Sequence, residues 1–345
     1  MSFHERNAKK RKIGHNGRAN PSQDRSSFKP SAIFNPLEGG RDWTISVAVP
    51  SSVLANLVTA DQRLTLPGRI ARALAVFSVD EVIIFDDSPP ASRLRNVDPN
   101  SYTGDTDPCH FIAHILSYIE APPFMRKTLF PLHPNLQKTA LLPSLDMPHH
   151  PNPKEWIQYR EGVTVAGRAP NGGTLVEVGL EEPVEIAEQI PPKTRVTLQF
   201  PEDENAAPQC IHPEAPRTEG GYYWGYQVRK CASLSAIFEE SPFEDGYDLS
   251  IGTSERGDPA SKVFPAGKRV APFKHLLVVF GGPRGLEYAS MNDDKLKEMG
   301  VQGAKTKELF DHWVNILPNQ GSRTIRTEEA LLIGLTTLRG IWDSS

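Results

Sequence analysis

The sequence predicts an α/β protein whose parallel-sheet chain is interrupted by a small inserted β-barrel. Three observations carry that expectation. A strand–helix–strand pattern begins at Asp42, strand–loop–helix corners return between residues 249 and 338, and the stretch from about 160 to 230 alternates in short strands without a helical period. Strands alternating with helices build parallel sheets, and closely spaced short strands build sandwiches or barrels.

At 345 residues the chain can bury a sizeable core and has length for two or three domains. Its 38% hydrophobic and 23% charged residues are the balance of a soluble protein, and its 31 prolines predict long connecting segments. A formal charge of -4 gives no global attraction to nucleic acid, so any RNA surface has to be local. Three scattered cysteines (Cys109, Cys210, Cys231) without a C-x-x-C pair argue against a disulfide framework and a zinc site, and fit a reducing compartment. No apolar run reaches membrane-spanning length and no signal-peptide core is present, so neither a membrane nor a metal is expected as a partner.

Residues 1–40 are polar and predict a disordered tail. Its Arg6, Lys9, Lys10, Arg11, Lys12 and Arg18 read either as a nuclear localisation signal or loose RNA contact, or as a merely solvated segment. The fold is expected from 41, with a first α/β part over 41–150. Trp43–Val49 predicts a strand stopped by Pro50. A helix is expected from Pro67, with Ile70, Leu74 and Phe77 on one face, and Val79–Phe85 is a continuous apolar strand. Asp87–Pro108 has no period and predicts a loop. Phe111, Ile115 and Tyr118 mark a second helix, ended by Pro122-Pro123. The His149-His150 pair lacks a third ligand and is not read as a metal site.

An inserted barrel is expected over 151–232, from strands at Gly162–Arg168, Thr174–Val178, Arg195–Phe200 and Tyr222–Arg229, with a Pro/Glu-rich loop over Pro201–Gly221. The last strand mixes aromatics with cations. Tyr223 and Trp224 for stacking, with Arg229 and Lys230 for phosphates, are the candidate RNA contacts; the alternative is that the aromatics fill the barrel.

The second α/β part is expected over 233–345. Leu249–Gly257 predicts a strand running into a turn at 252–257, and Leu276–Phe280 a buried strand before Gly281-Gly282. A further strand lies around Trp313–Leu317. Thr327 reads as the N-cap of a last helix, with Leu331, Leu335, Leu338 and Trp342 as its buried stripe. Ligands of open parallel sheets sit beyond the carboxyl ends of strands, so these three corners predict a small-molecule site. The absence of G-x-G-x-x-G, of G-x-x-x-x-G-K-[ST] and of G-x-S-x-G argues against nicotinamide or flavin, P-loop and serine-hydrolase chemistry.

Three segments carry a resemblance: Gly246-Tyr247-Asp248-Leu249-Ser250-Ile251-Gly252-Thr253-Ser254-Glu255-Arg256-Gly257, Val278-Val279-Phe280-Gly281-Gly282, and Gln320-Gly321-Ser322-Arg323-Thr324-Ile325-Arg326-Thr327-Glu328-Glu329-Ala330. Across about 42–340 the chain resembles the SPOUT class of RNA methyltransferases, and within it the eukaryotic SPOUT-domain-containing methyltransferase-1 group. The last two segments also resemble, more distantly, bacterial enzymes that methylate uridine N3 in small-subunit ribosomal RNA. The resemblance implies a trefoil-knotted domain, an inserted barrel of OB type, a homodimer, and S-adenosyl-L-methionine bent in the knot. It implies that Thr253, Gly281, Gly282 and Gly285 line one wall of the cofactor pocket, the glycines because side chains there would collide with it. Leu317, Asn319, Gly321, Ser322 and Ile325 would line the other. The expected activity is methylation of a base, uridine N3 foremost, in ribosomal or other structured RNA. Arg256 and Arg326 are the candidates for stabilising negative charge on the base, and Glu328 or Glu255 for taking its proton. Helix-end charge compensation is the competing role for Glu328, and a salt bridge for Arg326. An RNA-binding or spindle- and kinetochore-associated scaffold with little catalysis is the alternative function. The nucleus, the nucleolus in particular, is the expected location, with the cytoplasm as alternative.

Overall fold

The computed structural model describes residues 39–342 except 94–97, 168, 203–205 and 269, so the basic tail lies outside the described residues. In the first part, β1 (Thr44–Pro50), α1 (Ala60–Val76) and β2 (Glu81–Phe85) form the expected strand–helix–strand, followed by α2 (Pro108–Glu120) and α3 (Pro123–Leu129). The helix expected from Pro67 starts earlier. Thr59 and Gln62 close a reciprocal capping box, which sets the first turn at Ala60 and leaves Pro67 inside the helix.

The middle of the chain contributes β3 (Tyr159–Val165), β4 (Thr174–Glu177), β5 (Val184–Ile186), β6 (Arg195–Gln199) and β7 (Gln209–Ile211), then α4 (Ala215–Thr218). These strands form one antiparallel sheet in the order β5-β4-β3-β6-β7, over a small core of Val176, Val178, Ile186, Val196 and Leu198. Within the described residues β5 and β7 are its two edges, so the small barrel expected here is seen as an open sheet. The Pro201–Gly221 stretch, expected as plain loop, supplies β7 and α4.

The largest correction concerns Tyr222–Arg229. That segment is not a strand of the small sheet. Residues 222–226 are irregular, with Gly225 at φ +83°, and β8 (Gln227–Cys231) pairs in parallel with β2. The chain then runs through α5 (Ala236–Glu239), β9 (Leu249–Pro259), α6 (Ala260–Val263), β10 (His275–Val279), α7 (Gly285–Met291) and α8 (Asp294–Glu298). It ends with β11 (His312–Asn315) and α9 (Thr327–Leu338).

The large sheet has six parallel strands in the order β11-β9-β10-β1-β2-β8. Its strands are apolar on both sides because both faces are covered. Ile45, Val47, Val82, Ile84, Leu276 and Val278 join the core built with α1, α2 and α9. Their neighbours Ala48, Ile83, Phe85, Leu277 and Val279 join a second core with Leu234, Ile237, Leu286, Leu296 and Phe310. Most of these side chains are fully buried, each contributing roughly 1.5–3 kcal/mol.

Candidate functional site

Because all six strands are parallel, their carboxyl ends share one edge of the sheet, where such folds hold ligands. Next to the end of β1, the Ser52 backbone N–H and hydroxyl donate to the two oxygens of Asp87, at 3.1 and 2.5 Å. Asp87 is 2% exposed. Burial raises its pKa, with the Ser52 bonds opposing. Gly282 lies against this pair: a Cβ there would sit 2.2 Å from Ser52 Oγ. A Cβ on Gly281 would meet Gly285 Cα at 3.0 Å, and Gly285 has φ +78°. The corner therefore needs glycine for its own packing and backbone, independently of any ligand.

Two threonines tie this corner to its neighbours. Thr253 Oγ1 donates to the Val279 carbonyl and Thr327 Oγ1 to the Gly281 carbonyl, both at 3.1 Å. The turn expected at 252–257 is a loop-out within β9: Gly252 pairs with Trp313 and Asp258 with Val314, so residues 253–257 leave the ladder. Asn315 Nδ2 holds the loop-out by donating to the Glu255 carbonyl at 2.8 Å.

The second corner is more open. Asn319 adopts φ +61°, a left-handed conformation asparagine tolerates, and a Cβ on Gly321 would have nothing within 4 Å. Leu317 is 37% exposed, Ser322 is exposed, and Ile325 is half-buried. Thr327 is the first helical residue of α9. Arg326 takes the N-cap expected of Thr327, its N–H donating to Glu329 Oε2 at 3.0 Å, while the Thr327 hydroxyl is spent on Gly281.

The strands of this region match, over residues 44–338, the family model described as "Putative RNA methyltransferase". The chain is 40% identical over 331 residues to the human "28S rRNA (uridine-N(3))-methyltransferase", covering 93% of this chain and 85% of the human protein. It is 44% identical over 309 residues to the Drosophila melanogaster protein of the same name, covering 86% and 62% of the two chains. The Mus musculus protein, again of that name, is 43% identical over 307 residues, with coverage of 87% and 77%. The chain belongs to this family of RNA methyltransferases.

In this methyltransferase, of the SPOUT type, the fold gathers Thr253, Gly281, Gly282 and Gly285 at one corner and Leu317, Asn319, Gly321, Ser322 and Ile325 on the other. The charged candidates spread around them. Arg256 is exposed, its Nη1 3.8 Å from Glu287 Oε1, an oxygen that Ser254 Oγ approaches at 3.5 Å. Arg326 and Glu255 are exposed. Glu328 is largely covered, 3.9 Å from the Arg69 guanidinium on α1.

The four RNA candidates separate. Tyr223 is buried, its hydroxyl donating to the Val79 carbonyl, and Trp224 Nε1 donates to Glu161 at 2.7 Å. Arg229 is paired with Glu81 at 2.7 Å and donates to the Tyr247 hydroxyl. Lys230 is exposed. Ser52, Asp87 and Glu287 complete the edge and were not picked out from sequence. Only the Asp86-Asp87 step closing β2 could have pointed to one of them. His149 is fully buried with Nε2 2.9 Å from Glu120 Oε1. Among the described residues no group of three His, Cys, Asp or Glu is placed to hold a metal, and no helix is long and apolar enough to cross a membrane.

Proposed function

We propose that the chain methylates N3 of a uridine in large-subunit ribosomal RNA, using S-adenosyl-L-methionine, as a homodimer in the nucleus and its nucleolus. The observation that carries the reading is the match to three proteins named 28S rRNA (uridine-N(3))-methyltransferase across both glycine corners. The donor set fits the cofactor. The space beside Gly321, the exposed Leu317 and the half-buried Ile325 suit an adenine face, and the left-handed Asn319 turns the backbone through the corner. When bound, the cofactor supplies a methyl on a sulfonium leaving group, so the transfer needs no metal.

The protein's own residues then have three tasks. Thr253 and Thr327 fix the first corner, and the second corner closes on the cofactor. Arg256 and Arg326 offset the negative charge that develops on the uracil as its N3 proton leaves. A carboxylate takes that proton, Glu328 or Glu255. Glu328 lies 3.9 Å from the Arg69 guanidinium of α1. With the cofactor held there, its sulfonium would supply the methyl to N3 and leave as the thioether, and the carboxylate would pass the proton on to water. A trefoil knot fits the topology, since β10 and β11 flank β9 and the segment after β9 shares a face with α9. Phe264, Gly267, Lys268 and Val270 face Thr337, Leu338 and Ile341 across a cavity of about 440 Å³. In this reading the antiparallel sheet is the OB-like RNA-binding insert.

The test is nucleoside mass spectrometry of 28S ribosomal RNA incubated with the purified protein and cofactor. 3-Methyluridine is expected. Arg326→Ala is expected to keep cofactor affinity and lose roughly a hundredfold in rate; full activity in that variant would remove Arg326 from the mechanism. Tight cofactor binding without transfer to any RNA would favour a scaffold role.

A further inference from the structure

We propose that a cavity at the β2/β8 end of the large sheet is a second nucleotide subsite, taking a guanine base of the substrate RNA a few nucleotides from the target. The proposal deepens the RNA methyltransferase reading and rests on it for the identity of the strand bound. The cavity holds about 390 Å³, within the range of ligand pockets, and opens where β2, β8 and the start of α2 meet. It shares the carboxyl edge of the sheet with the glycine corners. From the β2/β8 step to the β10/β9 step is three strand spacings, roughly 14 Å. A stacked strand covers that in about four nucleotides at ~3.4 Å each, and an extended one in fewer.

The lining divides into donors and acceptors. Lys230 Nζ donates to His110 Nδ1 at 3.0 Å, and an ammonium has no acceptor to offer in return. The bond therefore places the neutral imidazole proton on Nε2, where it is a donor. His110 packs on the Tyr102 ring at 4.1 Å, and the Tyr102 hydroxyl is itself tied to His114 Nδ1 at 2.5 Å, which fixes the imidazole plane. Burial, then Lys230, lowers the His110 pKa, which favours the neutral ring.

The acceptors are Asp86, Asp105 and Asp107. Asp105 commits Oδ2 to Arg63 and Asp107 commits Oδ1 to the His110 N–H, leaving each a second oxygen. Arg93 also lines the cavity, but its guanidinium is engaged by the Asp86 side chain and by the Asp86, Ser88 and Asn292 carbonyls, so three carboxylates facing Lys230 disfavour a phosphate. Guanine suits both halves: N1–H and the N2 amino group donate to a carboxylate, while adjacent O6 and N7 accept from Lys230 and His110. Uracil offers the carboxylates a single N3–H, where guanine offers N1–H and the amino group together, so the cavity favours guanine.

The test is the affinity of the full-length protein for short single-stranded RNAs carrying one uridine, with guanine or an abasic site walked through each flanking position. About a tenfold preference for guanine is expected at one position within about four nucleotides of the uridine. Lys230→Ala, Lys230→Gln and His110→Ala should each reduce that preference with cofactor affinity unchanged. A flat scan overturns the subsite. So does a Lys230→Ala loss that is equal for all sequences and lowers the salt slope by about one, the signature of a phosphate contact. Binding is read without catalysis, so a flat scan sinks the subsite alone, whereas absence of methyl transfer to any RNA sinks the functional reading.

Discussion

Arg195 closes on Glu120 with both ends of its guanidinium, Nη1 to Oε2 at 2.6 Å and Nη2 to Oε1 at 3.1 Å. Glu120 ends α2 under the large sheet and Arg195 begins β6 of the small one, so the pair joins the two sheets. Nε of the same guanidinium reaches Glu161 at 2.6 Å, and Glu161 also accepts from Thr197 and Trp224.

Removing Arg195 would leave Glu120 buried against His149 alone, so Arg195→Ala is expected to cost about 3 kcal/mol in denaturant unfolding. Burial acts to raise the Glu120 pKa, but Arg195 and His149 outweigh it and hold the carboxyl far below its usual range. A depressed carboxylate stabilises fully above the unfolded value near 4.3 and loses its contribution as pH falls toward the folded one. The variant's stability should accordingly fall less steeply with acid than the parent's, and equal slopes would remove Glu120 from the acid response.

Histidines set a separate limit at higher pH. Burial pushes His114 down to about 4, with His133 and His110 adding to it, and His150 to about 3. In the unfolded chain both take a proton near 6.5, so the folded state is favoured fully above that value and loses ground as pH drops from there toward about 4. Unfolding midpoints measured across this window should decline, and less so in His114→Gln. An unchanged slope in that variant would show that His114 titrates alike in both states.

Gly282 and Gly321 separate structural from ligand-dependent glycine. A methyl at Gly282 lands on the Ser52–Asp87 pair, so Gly282→Ala should destabilise by about 1–3 kcal/mol, with partial rescue by Ser52→Ala. A methyl at Gly321 meets open space, so Gly321→Ala should leave unfolding within about 0.5 kcal/mol of the parent while weakening cofactor binding in calorimetry. Unaltered cofactor affinity in Gly321→Ala would take that corner out of the pocket.

The centre of the parallel sheet was legible because its strands are buried on both faces and read as near-continuous apolar runs; residues 82–85 and 276–279 are the clear cases. The α9 stripe was equally readable, and Leu331, Leu335, Leu338 and Trp342 are all buried. Tyr222–Arg229 misled because alternating aromatics look the same whether they fill a barrel or anchor a return segment. Here Tyr223 and Tyr226 reach into the large core and hydrogen-bond the Val79 and Leu116 carbonyls. Pro67 drew the start of α1 away from Thr59, whose capping box was the better signal. At the site, the corners announced themselves through their glycines. The Ser52–Asp87 support did not, because its partners lie 35 residues apart and neither belongs to a motif.

The pairing of β1 with β10 bears on how the protein is made. Thr44 and His275, which touch at 2.9 Å, are 231 positions apart in the chain. On the ribosome, β1 can meet β2 early but must keep its other side unzipped until the tenth strand emerges. An unpaired apolar strand edge invites the wrong neighbour. The nascent chain is thus most exposed to chaperones and to aggregation while the antiparallel sheet is being synthesised, and slowing translation there should lower the yield of folded enzyme.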